Sequence, residues 1–283
     1  MTLPADSHVQ SEWSWDTGGP ESAAAGRMRG TCARAVRIGL PALTFTEHLD
    51  VPGTWRSTAD DLMRHQRSFL TATGAVDHPA LDLAGYLHEV ERMREEFPDL
   101  VIRTGVEFGQ PHLFPGTASG VDPSQLDLVL GSLHTLDMGA GLRAEPATLY
   151  REHPPADVMR AYLEEVPRVV AGSDEFTVFT HIDYAARTWP SREVGPFDPR
   201  AFEDGFRAAM RSIAGGGRAL EMNTGRLWSW IPQWWVEEGG RQVTFGSDAH
   251  SPENLARNFP EAVAMLEHYG FRPGRDPWDP WVR

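Results

Sequence analysis

The chain has 283 residues, 41% of them hydrophobic, which suits one large domain with a sizeable core. Its formal charge is −14, from 26 basic and 40 acidic residues, and without a long Lys/Arg run we expect no nucleic-acid partner. The single cysteine, Cys32, excludes an intramolecular disulfide. The apolar runs are too short to cross a bilayer, and the N-terminus does not have the pattern of a secretory signal. We therefore expect a cytoplasmic protein without a membrane partner.

Short β-branched and apolar runs recur along the chain, and stretches with helical spacing separate them. This alternation favours a parallel sheet with helices outside it. No repeat or linker divides the chain, so we predict a single α/β domain over residues 1–283. In chain order the predicted strands are Ala5–Val9, Ala42–Thr46, Val101–Val106, Leu126–Gly131, Thr177–Thr180, Ala219–Met222 and Val243–Gly246.

Helical patterns occupy most of the intervening chain. The first predicted helix ends on Gly39, a residue suited to a C-cap, and the last opens with Ser-Pro-Glu, which favours a helix N-terminus. The segment 56–78 lacks clear periodicity, and we predict that it is an insertion or a lid. The predicted helices are Met28–Gly39, Leu81–Phe97, Ala156–Ala171, Pro199–Ala214 and Pro252–Tyr269.

Metal-competent or polar side chains follow every predicted strand. Parallel strands that close into a barrel direct their C-terminal ends to one face, so these side chains are expected to converge. Imidazole and carboxylate without sulfur suit Zn, Mn or Fe. Each position also has a structural explanation, such as a hydrogen-bonded histidine, a loop cap or a turn residue, but their coincidence favours a metal site. The residues are His8, Glu47, His48, Glu107, His134, His181, Asp183, Asn223, Asp248 and His250.

Together these segments resemble the successive motifs of the PHP (polymerase and histidinol phosphatase) superfamily: ADSHVQSEWSWD, FTEHLD, GVEFG, GSLHTLD, THIDY, EMNTGRL and FGSDAHSPENLA. Their order is similar to that of the monofunctional histidinol-phosphatase branch, from about Asp6 to His268. The resemblance implies a distorted (β/α)7 TIM-like barrel with a metal site at the C-terminal face of the strands. It implies hydrolysis of a small phosphorylated substrate, L-histidinol phosphate, to L-histidinol and phosphate, as in histidine biosynthesis.

The resemblance also implies two or three divalent ions, Zn, Mn or Fe, with Glu107 bridging two of them. The implied ligand positions are His8, Gln10, Asp16, His48, Glu107, His134, His181, Asp248 and His250.

Gln10 stands where the family's first motif, His-x-His, has its second histidine. Its carbonyl oxygen binds Zn more weakly than imidazole but is acceptable to harder ions. Three explanations are open: Gln10 is a weak ligand of a remodelled site, the site lacks one ion, or a histidine was replaced deliberately to inactivate the protein. Because the other ligand positions persist, we expect about two or more divalent ions per chain.

Substrate contacts and catalytic groups are expected near the same strand ends. Arg187 matches a basic position that follows the family's histidine, and its planar guanidinium suits phosphoryl oxygens. For Arg226 a phosphate contact and a salt bridge at the rim are equally good explanations. Asp248 or His250 could protonate the leaving alkoxide through bound water, and that role is left open. Asn223 and Trp15 complete the substrate-binding candidates.

Four tryptophans cluster after the sixth predicted strand: Trp228, Trp230, Trp234 and Trp235. They could form a wall for the substrate, but a loop packed against the barrel rim or a subunit interface is the better explanation, and a homodimer stays open. Two alternatives to histidinol-phosphate hydrolysis also remain. One is a metalloenzyme of the same fold with another substrate, in specialised metabolism or on another phosphoester. The other is a non-catalytic protein with a crippled site.

Overall fold

A curled sheet of parallel strands forms the centre of the computed structural model, which describes residues 3–114, 120–139 and 141–283. Within this part of the chain seven parallel strands follow one another in sequence order, and an antiparallel strand, β10, extends the far edge. The seven are β1 (Asp6–Val9), β2 (Ala42–Leu49), β4 (Val101–Gly109), β5 (Leu128–Ser132), β7 (Val178–Phe179), β8 (Ala219–Asn223) and β9 (Gln242–Gly246), and β10 is Trp281–Val282.

The sheet curls until its first and seventh parallel strands meet. The Asp248 N–H donates to the His8 carbonyl at 2.9 Å, and the Gln10 N–H donates to the Ala249 carbonyl at 2.9 Å. The strands are therefore joined at their C-terminal ends, where the predicted site residues lie. The prediction of a TIM-like barrel is confirmed, and strand ends that lie 240 residues apart in sequence become neighbours.

The longer helices cover the outer face of the sheet because each presents an apolar stripe to it. Fully buried side chains such as Tyr86, Tyr162 and Phe206 join helices to strands in one continuous core. No helix among the described residues is long and apolar enough to span a membrane. The helices are α1 (Arg27–Ile38), α2 (Leu83–Glu96), α3 (Pro146–Leu149), α4 (Pro155–Gly172), α5 (Tyr184–Arg187), α6 (Ser191–Val194), α7 (Glu203–Gly215), α8 (Trp230–Glu237) and α9 (Phe259–His268).

The last predicted helix begins later than its Ser-Pro-Glu sequence suggested. Pro252–Asn254 forms only a 3₁₀ turn, and α9 starts at Phe259. Ala256 and Asn258 between them have left-handed backbone φ angles of 53° and 56°, which interrupt a right-handed helix. The Asp6 carboxylate accepts the Ala256 N–H at 3.0 Å and thereby holds the turn against β1.

The tryptophan-rich segment is a helix, α8, rather than the loop that we expected. Trp235 is fully buried, and the rings of Trp230 and Trp234 lie 4.6 and 6.2 Å from that of Phe206 on α7. These rings therefore pack against a neighbouring helix and do not line a substrate pocket, in agreement with the packing explanation.

The segment 56–78 has a small apolar cluster of its own. Trp55, Leu62 and Val76 are buried together, and the strand β3 (Trp55–Arg56) pairs with β6 (Arg143–Ala144). The insertion is thus tied to the chain that precedes α3, on one side of the barrel mouth.

Candidate metal centre

One buried carboxylate at the barrel mouth is surrounded by imidazoles. Glu107, near the end of β4, has its Oε1 atom 2.9 Å from His134 Nε2 and 2.6 Å from His181 Nε2. Its Oε2 atom lies 3.0 Å from His8 Nε2 and 3.4 Å from His48 Nδ1. These five residues come from five successive strand ends, so the barrel brings together side chains that the sequence separates widely.

Three groups of side chains in the described residues have the spacing of a metal site, with ligand atoms within 4.8 Å of one another. Glu107 belongs to two of the groups and His48 to two, so neighbouring ions would share ligands. Asp248 lies beside the first group, with Oδ1 3.6 Å from His8 Nε2. The groups are His8, Glu107 and His181; His48, Glu107 and His134; and Asp16, His48 and His250.

Unsatisfied buried atoms show that this donor set fits divalent ions. Gln10 Oε1, Asp16 Oδ1 and His48 Nδ1 are buried without a hydrogen-bond partner in the described part of the chain. Buried polar atoms are normally hydrogen-bonded, and carbonyl, carboxylate and imidazole atoms are the ligands that Zn, Mn and Fe take in the absence of sulfur. The Gln10 amide also donates to Glu107 Oε2 at 3.1 Å, which places the substituted residue inside the cluster.

Two further carboxylates orient the imidazoles, and the sequence did not indicate either of them. His8 Nδ1 lies 2.5 Å from Glu221 Oε1, and His134 Nδ1 lies 3.4 Å from Asp50 Oδ1. Such contacts set the tautomer and direction of an imidazole ligand. Gly246 makes room for Glu221, because a Cβ atom at this position would collide with the Glu221 carboxylate. Glu221 precedes Asn223 by two residues on β8, and this position was a weak sign in the sequence that Glu221 belongs to the site.

The carboxylates of the cluster and His181 have the charge states of metal ligands. For His8 and His134, burial lowers the pKa but nearby carboxylates outweigh it and raise the pKa. Burial raises the pKa of Glu107, but the surrounding imidazoles outweigh it and hold that pKa well below its usual range. The pKa of Asp248 is likewise well below its usual range, because His8 and Arg187 outweigh burial. Burial lowers the pKa of His181, which favours the neutral imidazole that a metal requires. Burial opposes protonation of His250, but Asp16, 2.8 Å away, raises its pKa to about 9.

A cavity of about 220 Å³ opens over the cluster. Arg187 and Trp15 line it, as do Asp61, Leu62, Met63 and Gln66 of the insertion. Arg187 Nη1 donates to Asp248 Oδ2 at 2.8 Å, so the guanidinium is held beside the proposed ligands. Trp15 donates its indole N–H to Asp50 Oδ2 at 3.1 Å and stacks on His78 at 4.4 Å.

Two other substrate-binding candidates lie outside the cavity lining. Asn223 donates its side-chain amide to Glu221 Oε2 at 3.2 Å and to Asp248 Oδ2 at 3.4 Å, so it orients carboxylates. Arg226 donates to the Ala186 carbonyl at 3.2 Å and covers the Trp228 ring at 5.6 Å. Arg226 is not among the residues that line the cavity, and its phosphate contact, which the sequence left as open as a rim salt bridge, stays a prediction.

Two polar residues at strand ends also have structural partners instead of a place in the cluster. Glu47 accepts hydrogen bonds from the hydroxyls of Ser11 at 2.5 Å and Ser14 at 2.6 Å. Asp183 accepts the indole N–H of Trp228 at 3.0 Å. Glu47 lies on β2 and Asp183 lies directly before α5, so both help to frame the site.

Known proteins that are similar to this chain include two histidinol-phosphatases. A probable histidinol-phosphatase of Clostridium acetobutylicum is 26% identical over 201 residues, covering 68% of this chain and 76% of the relative. The histidinol-phosphatase of Lactococcus lactis subsp. lactis is 24% identical over 84% of this chain and 83% of the relative.

Solved structures share the fold. The crystal structure of Lactococcus lactis histidinol phosphate phosphatase, complexed with zinc, L-histidinol and phosphate, matches with a TM-score of 0.71 at 22% identity and covers 95% of both chains. The family model of the PHP domain matches residues 6–225, which is more than half of the chain. With the barrel and its histidine-rich mouth, this match shows that the chain belongs to the PHP domain family.

Proposed function

We propose that the protein is a metal-dependent phosphomonoesterase that hydrolyses L-histidinol phosphate to L-histidinol and phosphate. The observation that carries the proposal is the approach of four imidazoles to Glu107 within 3.4 Å, beside an arginine in the same cavity. Relatives called histidinol-phosphatases match over most of the chain and support this choice of substrate.

Two or three divalent ions, Zn, Mn or Fe, are proposed for the cluster. When bound, they supply an acidified water as nucleophile and positive charge for the phosphoryl oxygens. Glu107 is proposed to bridge two of them, and Gln10 to be the weakest ligand. The residues proposed to hold the ions are His8, Gln10, Asp16, His48, Glu107, His134, His181, Asp248 and His250.

The chain's own residues bind and orient the phosphate. The Arg187 guanidinium is proposed to hold phosphoryl oxygens, and the Asp248 contact at 2.8 Å fixes its direction before substrate arrives. Asp248 and His250 are the candidates for delivering a proton to the leaving alkoxide through bound water. His250 is the more exposed of the two, with 36% of its side chain accessible against 10% for Asp248, so it can exchange protons with solvent more readily.

The insertion at 56–78 is proposed to act as a lid, since four of its residues line the cavity. Its anchor is Asp61, whose Oδ2 accepts hydrogen bonds from Thr148 Oγ1 at 2.8 Å and Arg151 Nη1 at 3.0 Å. Dimerisation stays a prediction, which sedimentation analysis of the purified protein tests directly.

Phosphate release from a panel of phosphomonoesters tests the proposed function. The protein is loaded with Zn, Mn or Fe, and Gln10→His is assayed in parallel. Turnover of L-histidinol phosphate by both proteins is the expected result. Activity confined to Gln10→His would identify the natural sequence as inactive, and no turnover by either metal-loaded protein would overturn the proposal.

A further inference from the structure

The cavity over the metal cluster contains one carboxylate that makes no ion-pair contact with a described residue. Six carboxylates line this cavity, and the other five each lie within 3.4 Å of a nitrogen of histidine or arginine. Glu145 has no such partner among the described residues. Its side chain accepts a hydrogen bond from the Tyr184 hydroxyl at 3.2 Å and does not cap the following helix α3. The five paired carboxylates are Asp16, Asp50, Asp61, Glu107 and Asp248.

A partly buried carboxylate without a counter-ion is costly unless a cation arrives. Burial raises the pKa of Glu145 and outweighs the opposing effects of His134 and of the Tyr184 hydrogen bond, while Asp50 and Asp61 act in the same direction as burial. Glu145 belongs to none of the three metal-type groups in the described residues. The missing positive charge is therefore expected from the molecule that fills the cavity.

The position of Glu145 relative to Arg187 limits the shape of that molecule. The Tyr184 hydroxyl donates to Glu145, while the Arg187 guanidinium lies 5.6 Å from the centre of the same tyrosine ring. The Glu145 carboxylate and the Arg187 guanidinium, which is proposed to bind phosphate, thus lie beside the same tyrosine side chain. A molecule that contacts both groups presents a positive charge to Glu145 and a phosphate to Arg187. In an amino-alcohol phosphate the ammonium lies one carbon beyond the ester CH₂, which meets this requirement.

We propose that Glu145 binds the ammonium group of the substrate and makes the site selective for phosphate monoesters of amino alcohols. This inference rests on the proposed phosphatase function and names the substrate class of that site. Trp15 and Trp55, whose rings lie 5.8 Å apart on the cavity wall, are left to contact the rest of the substrate. A primary ammonium is fully charged at neutral pH, whereas a free imidazole is mostly neutral, so the ammonium is the better partner.

Equilibrium binding of the product tests the assignment without requiring turnover. Calorimetry measures binding of L-histidinol and of its deaminated analogue, 3-(imidazol-4-yl)propan-1-ol, to the Zn-loaded protein and to Glu145→Gln. The amide retains the acceptor for Tyr184 but has no charge. We expect the natural protein to prefer L-histidinol by about tenfold or more, and Glu145→Gln to lose most of this preference.

A second variant controls for loss of negative charge. Glu152→Gln removes a carboxylate that pairs with Arg56 at 2.5 Å outside the cavity, and its preference for L-histidinol should match the natural protein. A natural protein without preference for the amino compound overturns the assignment, as does a preference that survives in Glu145→Gln. Failure of the phosphatase proposal is separate, because it appears as absent phosphate release while the binding preference can still be measured.

Discussion

The side-chain amide of Gln10 donates to Glu107 Oε2 at 3.1 Å, at the position where the related motif has a histidine. The glutamine therefore occupies the cluster, and its own carbonyl oxygen is buried without a partner in the described residues. This geometry supports a weak oxygen ligand more than a side chain turned away from the ions.

Replacing Gln10 by histidine should raise the affinity for zinc by about tenfold or more, because imidazole is a better zinc ligand than an amide carbonyl. Zinc titration against a competing chelator measures the change. Gln233→His, at an exposed position on α8, controls for adding a histidine elsewhere. Equal zinc affinities for Gln10→His and the natural protein would show that Gln10 does not contact an ion.

Arg187→Ala should reduce kcat/KM for L-histidinol phosphate by about 100-fold, because it removes a charged donor from the developing phosphoryl charge. Arg187→Lys retains the charge without the planar guanidinium, so its kcat/KM should lie between those of the unaltered protein and Arg187→Ala. Steady-state kinetics of the metal-loaded proteins give these values. Arg226→Ala is the matched control, and a loss as large as that of Arg187→Ala would contradict the placement of Arg226 outside the cavity.

Glu221→Gln should weaken metal binding by about 10- to 100-fold, although Glu221 is not among the proposed ligands. Its carboxylate lies 2.5 Å from His8 Nδ1 and directs the other imidazole nitrogen toward Glu107. Metal content after dialysis against a weak chelator reports the effect, and circular dichroism verifies that the variant is folded. Full metal retention by a folded Glu221→Gln would rule out this supporting role.

Glu165 lies away from the metal cluster, and we expect it to make the stability of the fold decrease at acidic pH. A hydrogen bond from His112, at 3.0 Å, is the main cause that lowers the pKa of Glu165 to about 2, with burial opposing. A carboxyl with a depressed folded-state pKa stabilises the protein above its ordinary pKa, and this contribution is lost as pH falls from about 4.5 toward 2.

Glu165→Gln should accordingly lower the free energy of unfolding at pH 7 by about 1 kcal/mol, after allowance for solvent screening. The difference from the natural protein should shrink as pH decreases to 3. Urea unfolding of both proteins across this pH series measures it. A difference that stays constant with pH would show that the glutamate acts through packing instead of charge.

The sequence pattern predicted a parallel sheet with helices outside it, the resemblance to the PHP superfamily implied the barrel, and several site residues were expected to converge. Seven apolar runs alternate with helical patterns, and polar side chains follow each run. Because parallel strands in a barrel direct their C-terminal ends to one face, His8, Glu107 and His181 could be placed together without coordinates. The structure places the imidazoles of His8 and His181 within 3.0 Å of the Glu107 carboxylate.

Only the tertiary structure distinguished residues whose positions in the sequence suggested the same role. Arg187 and Arg226 both follow strand ends, yet one lines the cavity and the other covers a tryptophan outside it. Glu221 and Glu145 gave no strong local signal, because their roles arise from side chains that the fold brings to them from distant segments. Local periodicity specifies strands and the faces they present, whereas pairing of charges depends on three-dimensional distances that no short stretch of sequence encodes.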